Sequence, residues 1–118
     1  MPATGPTSEL EAARARLKEI LLERSIRFGD FTLSSGAKSK YYADVRQTSL
    51  HPEGAVLIAR LLDPTLVEHG ARAVGGLTLG ADPIVGALLT WTQLQGRGLP
   101  GFIHHERRQR ARGIRGGA

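Results

Sequence analysis

Three groups of residues in this chain have types and spacing that bear on chemistry. The first is Gly75-Gly76-Leu77-Thr78-Leu79-Gly80-Ala81-Asp82-Pro83, which follows the apolar run Ala71 to Val74 and precedes an apolar pattern of helical period. Strand, glycine-rich turn and helix in succession present backbone N–H groups to an anion, phosphate above all, at the helix N-terminus. Three glycines in six residues let the backbone pass close to a ligand, and Asp82-Pro83 is a helix-start signal. The second group is aromatic: Phe28, Phe31, Tyr41 and Tyr42 are four of the chain's six aromatics. They fall in a segment too small to bury them, so they must pack on something or close over a ligand. The third is the arginine-rich end, Arg107, Arg108, Arg110, Arg112 and Arg115, able in principle to release counterions from nucleic-acid phosphates. No aromatic interleaves with those arginines, so nucleic acid is the weaker reading. The four histidines, His51, His69, His104 and His105, match no ligand spacing, and no metal site is expected.

The elements that hold these groups follow from periodicity. Ser8 with Glu11 reads as a capping box, and Leu10, Ala13, Leu17, Ile20 and Leu21 form one face of a helix over 9–24. Residues 1–7 read as a disordered lead-in. Gly29-Asp30 and Ser35-Gly36 are turn signals that set off two strands, 30–33 and 39–44. Tyr41 and Tyr42 alternate there, so one of them is expected to face the core. Thr48, Ser49 and His51-Pro52 start a second helix with Ala55, Val56, Ile58, Ala59 and Leu62 on its apolar face, and Asp63-Pro64 breaks or kinks it. Gly70 is a natural C′ residue. A buried strand over 71–76 precedes a third helix over 83–95, whose stripe is Ile84, Ala87, Leu88, Trp91 and Leu94, and Gly101-Phe102-Ile103 opens another strand. Helix, hairpin, then helix–strand–helix–strand is the opening of an α/β domain with a parallel sheet. Bare apolar faces on the two later helices would favour self-association.

The chain has 118 residues, enough for one domain, with 41% hydrophobic and 23% charged residues. No apolar run approaches bilayer length and no secretory signal is expected at the start. With no cysteine, disulfides and thiolate metal sites are excluded, which agrees with a cytoplasmic setting. The net charge of +5 is concentrated at the end: five arginines oppose one acid from Glu106 onward. The high isoelectric point therefore belongs to the segment 104–118, read as a disordered tail.

Two stretches, F-G-D-F-T-L-S-S-G-A-K-S-K-Y-Y-A-D-V-R at 28–46 and G-G-L-T-L-G-A-D-P-I at 75–84, resemble the bacterial orotate phosphoribosyltransferase family in order and distance. The resemblance runs from about Leu17 to Ile103. It implies the N-terminal part of a type I phosphoribosyltransferase fold, with residues 25–46 as a hood and 71–95 as the first strand–turn–helix unit, and it implies a homodimer. The implied activity is transfer of a phosphoribosyl group from phosphoribosyl pyrophosphate to orotate, giving orotidine monophosphate and pyrophosphate in pyrimidine biosynthesis, with Mg²⁺ required. By the same resemblance Tyr41 and Tyr42 lie beside the orotate ring. Ser34 stands where some members carry a lysine facing the phosphoribosyl pyrophosphate, Lys38 belongs to the same motif, and Leu79-Gly80 stands where others place a Tyr-Lys pair near the pyrophosphate. Ser34, Lys38, Tyr41, Tyr42, Leu79 and Gly80 are thus the expected substrate-binding positions.

The family's mobile Lys/Arg/His loop and its acidic strand with Thr-Thr-Gly-Gly are not expected anywhere in 104–118, so no catalytic residue is assigned. An abrupt switch to Arg, Gly and Ala after Ile103 suggests a reading frame lost at that point, a truncated enzyme and little activity of this polypeptide alone. The alternatives are a non-catalytic binding or dimerisation module and a nucleic-acid binder acting through the arginine tail.

Overall fold

The structure, a computed structural model, describes residues 6–105. The element order is α1 (Pro6–Arg24), β1 (Ile26–Thr32), β2 (Lys38–Ala43), α2 (Arg46–Ser49), α3 (Pro52–Glu68), β3 (Val74–Leu77), α4 (Asp82–Leu94) and β4 (Gly101–His104). The arginine-rich stretch from Glu106, with the expectations of a disordered tail and a lost frame, lies outside the described residues, as do residues 1–5. His104, assigned to the tail by sequence, is the last residue of β4.

The helix α1 buries the face its periodicity announces, with Ala13 and Ile20 in the core. It begins at Pro6 rather than after Ser8, so Ser8 sits inside the first turns and is no cap. At the other end Ser25 is 2% exposed, its hydroxyl 2.5 Å from that of buried Thr48. This bond ties the exit of α1 to α2.

Helix α3 starts as expected at Pro52, and the ring Nδ1 of its N-cap His51 accepts from the Gly54 N–H at 3.4 Å. It does not break at Asp63-Pro64 but runs to Glu68. Packing on α1 on one side and α4 on the other outweighs the one backbone bond that Pro64 cannot donate. The helix ends in a Schellman motif: Ala71 N–H bonds Leu66 C=O at 2.9 Å, Gly70 N–H bonds Val67 C=O at 3.1 Å, and Gly70 has φ +60°. Ile58 and Ala59 join the core. Val56 and Leu62, expected on the buried face, are 45% and 43% exposed.

The strands β3 and β4 pair in parallel, Val74 opposite Gly101 through Leu77 opposite His104, with α4 as the connection. Leu88 and Thr92 are the buried residues of α4, whereas Leu94, expected in its stripe, is 75% exposed. The hairpin β1–β2 forms a separate antiparallel sheet. Gly29-Asp30 is not a turn but a bulge within β1, between the pairs Phe28–Tyr41 and Phe31–Ser39.

Candidate functional site

The turn between β3 and α4 is held by its own backbone and one side-chain contact. Ala81 N–H bonds Leu77 C=O at 3.0 Å, and Asp82 N–H bonds Leu79 C=O at 3.1 Å. Thr78 N–H donates across to His104 C=O at 3.1 Å, and Thr78 Oγ1 donates to the Asp82 carboxylate at 3.2 and 3.3 Å. The Thr78–Leu79 peptide is cis. The N–H groups of Leu79 and Gly80 donate to no acceptor among the described residues, and both residues are exposed. Two unengaged donors therefore lie at the positive end of a 13-residue helix, an arrangement that receives anions. Asp82 is the first residue of α4 and Ala81 its N-cap, so the helix starts one residue before the expected Pro83.

Two of the three glycines in this stretch also serve packing. A Cβ on Gly75 would collide with the Phe102 ring, and one on Gly76 would lie 2.6 Å from the Ala81 Cβ. Those two are small so that β4 and the turn can pack against β3. Of the three, Gly80 alone stands in open space.

On the hairpin, Ser34 lies in an exposed turn closed by Gly36 N–H to Leu33 C=O and Leu33 N–H to Ala37 C=O, both 2.8 Å. Gly36, at φ +89°, supplies the left-handed residue the turn requires. The Lys38 ammonium donates to Thr32 Oγ1 at 3.3 Å and lines a groove with Asp30, Phe31, Thr32, Ser39 and Lys40. Tyr41 and Tyr42 are 54% and 46% exposed, so neither faces the core. Tyr42 packs on Phe31 with ring centroids 5.9 Å apart, and Phe28 projects at 74% exposure. Ser34, Lys38, Tyr41 and Tyr42 thus share the hairpin, while Leu79 and Gly80 sit on the other sheet. Of four cavities formed by the described residues, none is lined by both groups.

At the hairpin's exit the Asp44 carboxylate accepts from Arg46 Nε at 3.1 Å, from the Arg46 backbone N–H at 3.2 Å and from Gln47 Nε2 at 3.4 Å. The guanidinium of Arg46 chiefly holds this carboxyl below the usual carboxylate range. Among the described residues no group of three or more His, Cys, Asp or Glu side chains converges on a metal position, and no helix is long and apolar enough to cross a membrane.

No family model matches the chain. Among curated proteins it is 43% identical over 102 residues to the orotate phosphoribosyltransferase of Nostoc sp., covering 86% of this chain and 48% of that one. A crystal structure of Mycobacterium tuberculosis orotate phosphoribosyltransferase with inorganic phosphate superposes with a TM-score of 0.69 at 36% identity. It covers 81% of this chain and 55% of that chain. The same enzyme in complex with 5-phospho-α-D-ribosyl 1-diphosphate gives 0.64 at 36% identity, covering 80% and 54%. The chain belongs to the orotate phosphoribosyltransferase family. It spans about half the length of the curated relatives it matches. As a member of that family it carries part of the type I phosphoribosyltransferase fold.

Sequence reasoning missed the group that ties α3 to the last turn of α4 and the loop after it. Asp63 on α3 is 8% exposed, accepts from Trp91 Nε1 at 3.0 Å, and pairs with the Arg97 guanidinium from the loop after α4. The available signal was an acid inside an apolar helical face, together with the chain's single tryptophan, whose N–H needs a partner when buried. Sequence reasoning also gave Thr78 no role, although its hydroxyl fixes the Asp82 carboxylate.

Proposed function

We propose that this chain supplies the orotate-facing hairpin and the pyrophosphate-facing turn of an orotate phosphoribosyltransferase. The reaction joins the phosphoribosyl group of phosphoribosyl pyrophosphate to orotate and releases pyrophosphate, in pyrimidine biosynthesis. The observation that carries this reading is the 43% identity over 102 residues, a stretch long enough to take in both hairpin and turn wherever it starts. Orotate is flat, anionic and polar, so the exposed faces of Tyr41 and Tyr42 suit it, with Ser34 and Lys38 at the same hairpin for the phosphoribosyl donor. Pyrophosphate gains charge as it leaves, and the fixed N–H dipoles of Leu79 and Gly80 stabilise that charge without reorganising. A homodimer and a cytoplasmic location belong to this reading as well.

A magnesium ion suits the donor set. Mg²⁺ usually takes one or two carboxylates together with substrate phosphate oxygens and waters. The Asp82 carboxylate, held by Thr78 beside the unengaged amides, is such a donor. When bound, the ion would neutralise part of the diphosphate charge.

The test is titration of the purified chain with phosphoribosyl pyrophosphate and Mg²⁺, followed by amide NMR. Resonances of Leu79 and Gly80 should shift, and added orotate should move those of Tyr41 and Tyr42. If the turn amides stay unmoved at millimolar ligand, the reading is wrong. Turnover by this chain alone should be very low, since losing even one transition-state donor commonly costs ~10²–10³ in rate and the turn carries no lysine or arginine to meet the diphosphate. Ready turnover would refute that expectation.

A further inference from the structure

The hairpin joins the helices through a compact polar joint. β1 begins at Ile26, directly after Ser25, and β2 ends at Ala43, directly before Asp44. The Ser25 carbonyl accepts the Asp44 N–H at 2.8 Å, so the two strands leave the helices side by side. The Ser25 hydroxyl meets that of Thr48 on α2 at 2.5 Å, with both residues buried. Thr48 is itself fixed: its N–H donates to Val45 C=O at 2.9 Å, and its C=O accepts from His51 N–H at 3.0 Å. A Cβ on Gly54, in the first turn of α3, would collide with that carbonyl. Beyond the joint most hairpin residues are exposed, and among the described residues the hairpin packs mainly on α1 besides itself. At a rise of about 3.3 Å per residue, the turn at Ser34 stands roughly 25–30 Å from Ser25. A tilt of about 10° at the joint therefore carries Ser34 and Lys38 by roughly 4–5 Å. Tyr42, opposite Arg27 near the base, moves by only about 1 Å.

We propose that Ser25 and Thr48 are positioning residues: their hydroxyl pair sets the tilt of the hairpin, and so the reach of Ser34 and Lys38 toward the phosphoribosyl donor. The inference rests on the donor-facing reading of Ser34 and Lys38 and deepens it. Neither buried hydroxyl touches a ligand. Both act through the place where the two strands join the helices, and a small change of angle there displaces the tip furthest.

The chain has no cysteine, so Ser35→Cys at the tip and Glu68→Cys at the end of α3 provide a labelled pair for spin–spin distance measurement. With Ser25 and Thr48 in place, the pair should show one narrow distance. Thr48→Val leaves the buried Ser25 hydroxyl without a partner, and should lower stability and broaden the distance by several ångströms. Thr48→Ser keeps a hydroxyl and should keep the distance narrow. In the double variant Ser25→Ala with Thr48→Val, stability should recover, because losing both partners costs less than losing one, while the distance stays broad. That double variant should bind phosphoribosyl pyrophosphate with Mg²⁺ about tenfold more weakly, the effect of one contact to a charged group, and inorganic pyrophosphate as before. A narrow distance in the double variant overturns the proposal, and so does a distance that broadens and narrows only with stability. Unchanged affinity for phosphoribosyl pyrophosphate beside a broad distance also overturns it, as does equal weakening of both ligands. If the unaltered chain binds neither ligand, the reading of the site itself falls and the positioning role falls with it.

Discussion

Replacing Asp63 with alanine should destabilise the chain by loosening α3 from α4. The carboxylate is 12% exposed and serves two partners, the Trp91 N–H at 3.0 Å and the Arg97 guanidinium. Removing it leaves the indole N–H without an acceptor in a part-buried position, worth about 1–1.5 kcal/mol. The arginine contact is charge-assisted and would count for more if buried. Arg97 is 39% exposed, however, so water replaces much of what it loses. Together the loss comes to about 2–3 kcal/mol. In a domain of this size each kcal/mol lowers the melting temperature by roughly 4–8 °C. A drop of about 10–20 °C is therefore expected. Asp63→Asn keeps one acceptor oxygen for the indole and should recover about 1 kcal/mol of the loss.

The assay is urea or thermal unfolding followed by the fluorescence of Trp91, the chain's single tryptophan. Because the indole is itself one of the partners, its emission in the folded variant reports whether its N–H has gained water in place of Asp63. If Asp63→Ala unfolds within about 0.5 kcal/mol of the unaltered chain, the Asp63–Trp91–Arg97 contact contributes no stability and the account of α3–α4 packing fails. Equal losses in the alanine and asparagine variants would mean that the charge, not the indole acceptor, carries the effect.

Two further outcomes are expected. Gly76→Ala places a methyl 2.6 Å from the Ala81 Cβ, in a strand facing α4, and should cost about 1–3 kcal/mol with a shifted turn; a neutral effect in chemical unfolding would show that the turn yields freely. The Arg16 guanidinium bonds Glu53 at 2.8 and 2.9 Å across α1 and α3 and holds its carboxyl below the ordinary range. The contribution of that pair is present above the carboxylate's unfolded pKa and lost as pH falls through the lower, folded one. Melting temperatures of the unaltered chain should therefore converge on those of Glu53→Gln in acid, and a constant gap down to pH 3 would contradict the assignment.

The helices were legible in the sequence because their signals are local. The stripe Leu10, Ala13, Leu17, Ile20 and Leu21 follows one 3.6-residue period, and the Gly70 end of α3 is written in adjacent residues. What failed to show depends on partners far along the chain. Gly75 is small for Phe102, a residue that meets it only through the parallel register of β3 and β4. Nothing near Gly75 distinguishes that role from close approach to a ligand. Pro64 is tolerated because α3 is gripped on both sides, which no local rule weighs. The site residues themselves were legible only as types. Exposure of both tyrosines and separation of hairpin from turn are consequences of where α1 and α4 place them.

That separation makes α3 the element on which any joint action of hairpin and turn depends. The hairpin is carried by β1 at the end of α1, and the turn opens α4. Helix α3 packs against both, bonded to α1 through Arg16–Glu53 and Arg60–Glu9 and to α4 through Asp63–Trp91. Phe28 is left 74% exposed and the turn amides unengaged, and such departures from local consistency concentrate where a protein meets its ligand. The distance between the two groups is therefore set by contacts that touch neither. Weakening Asp63 should loosen the placement of α4 on α3 while leaving the hairpin's own pairing with α1 intact. Loss of pyrophosphate affinity with unchanged hairpin resonances would be the mark of that division of labour.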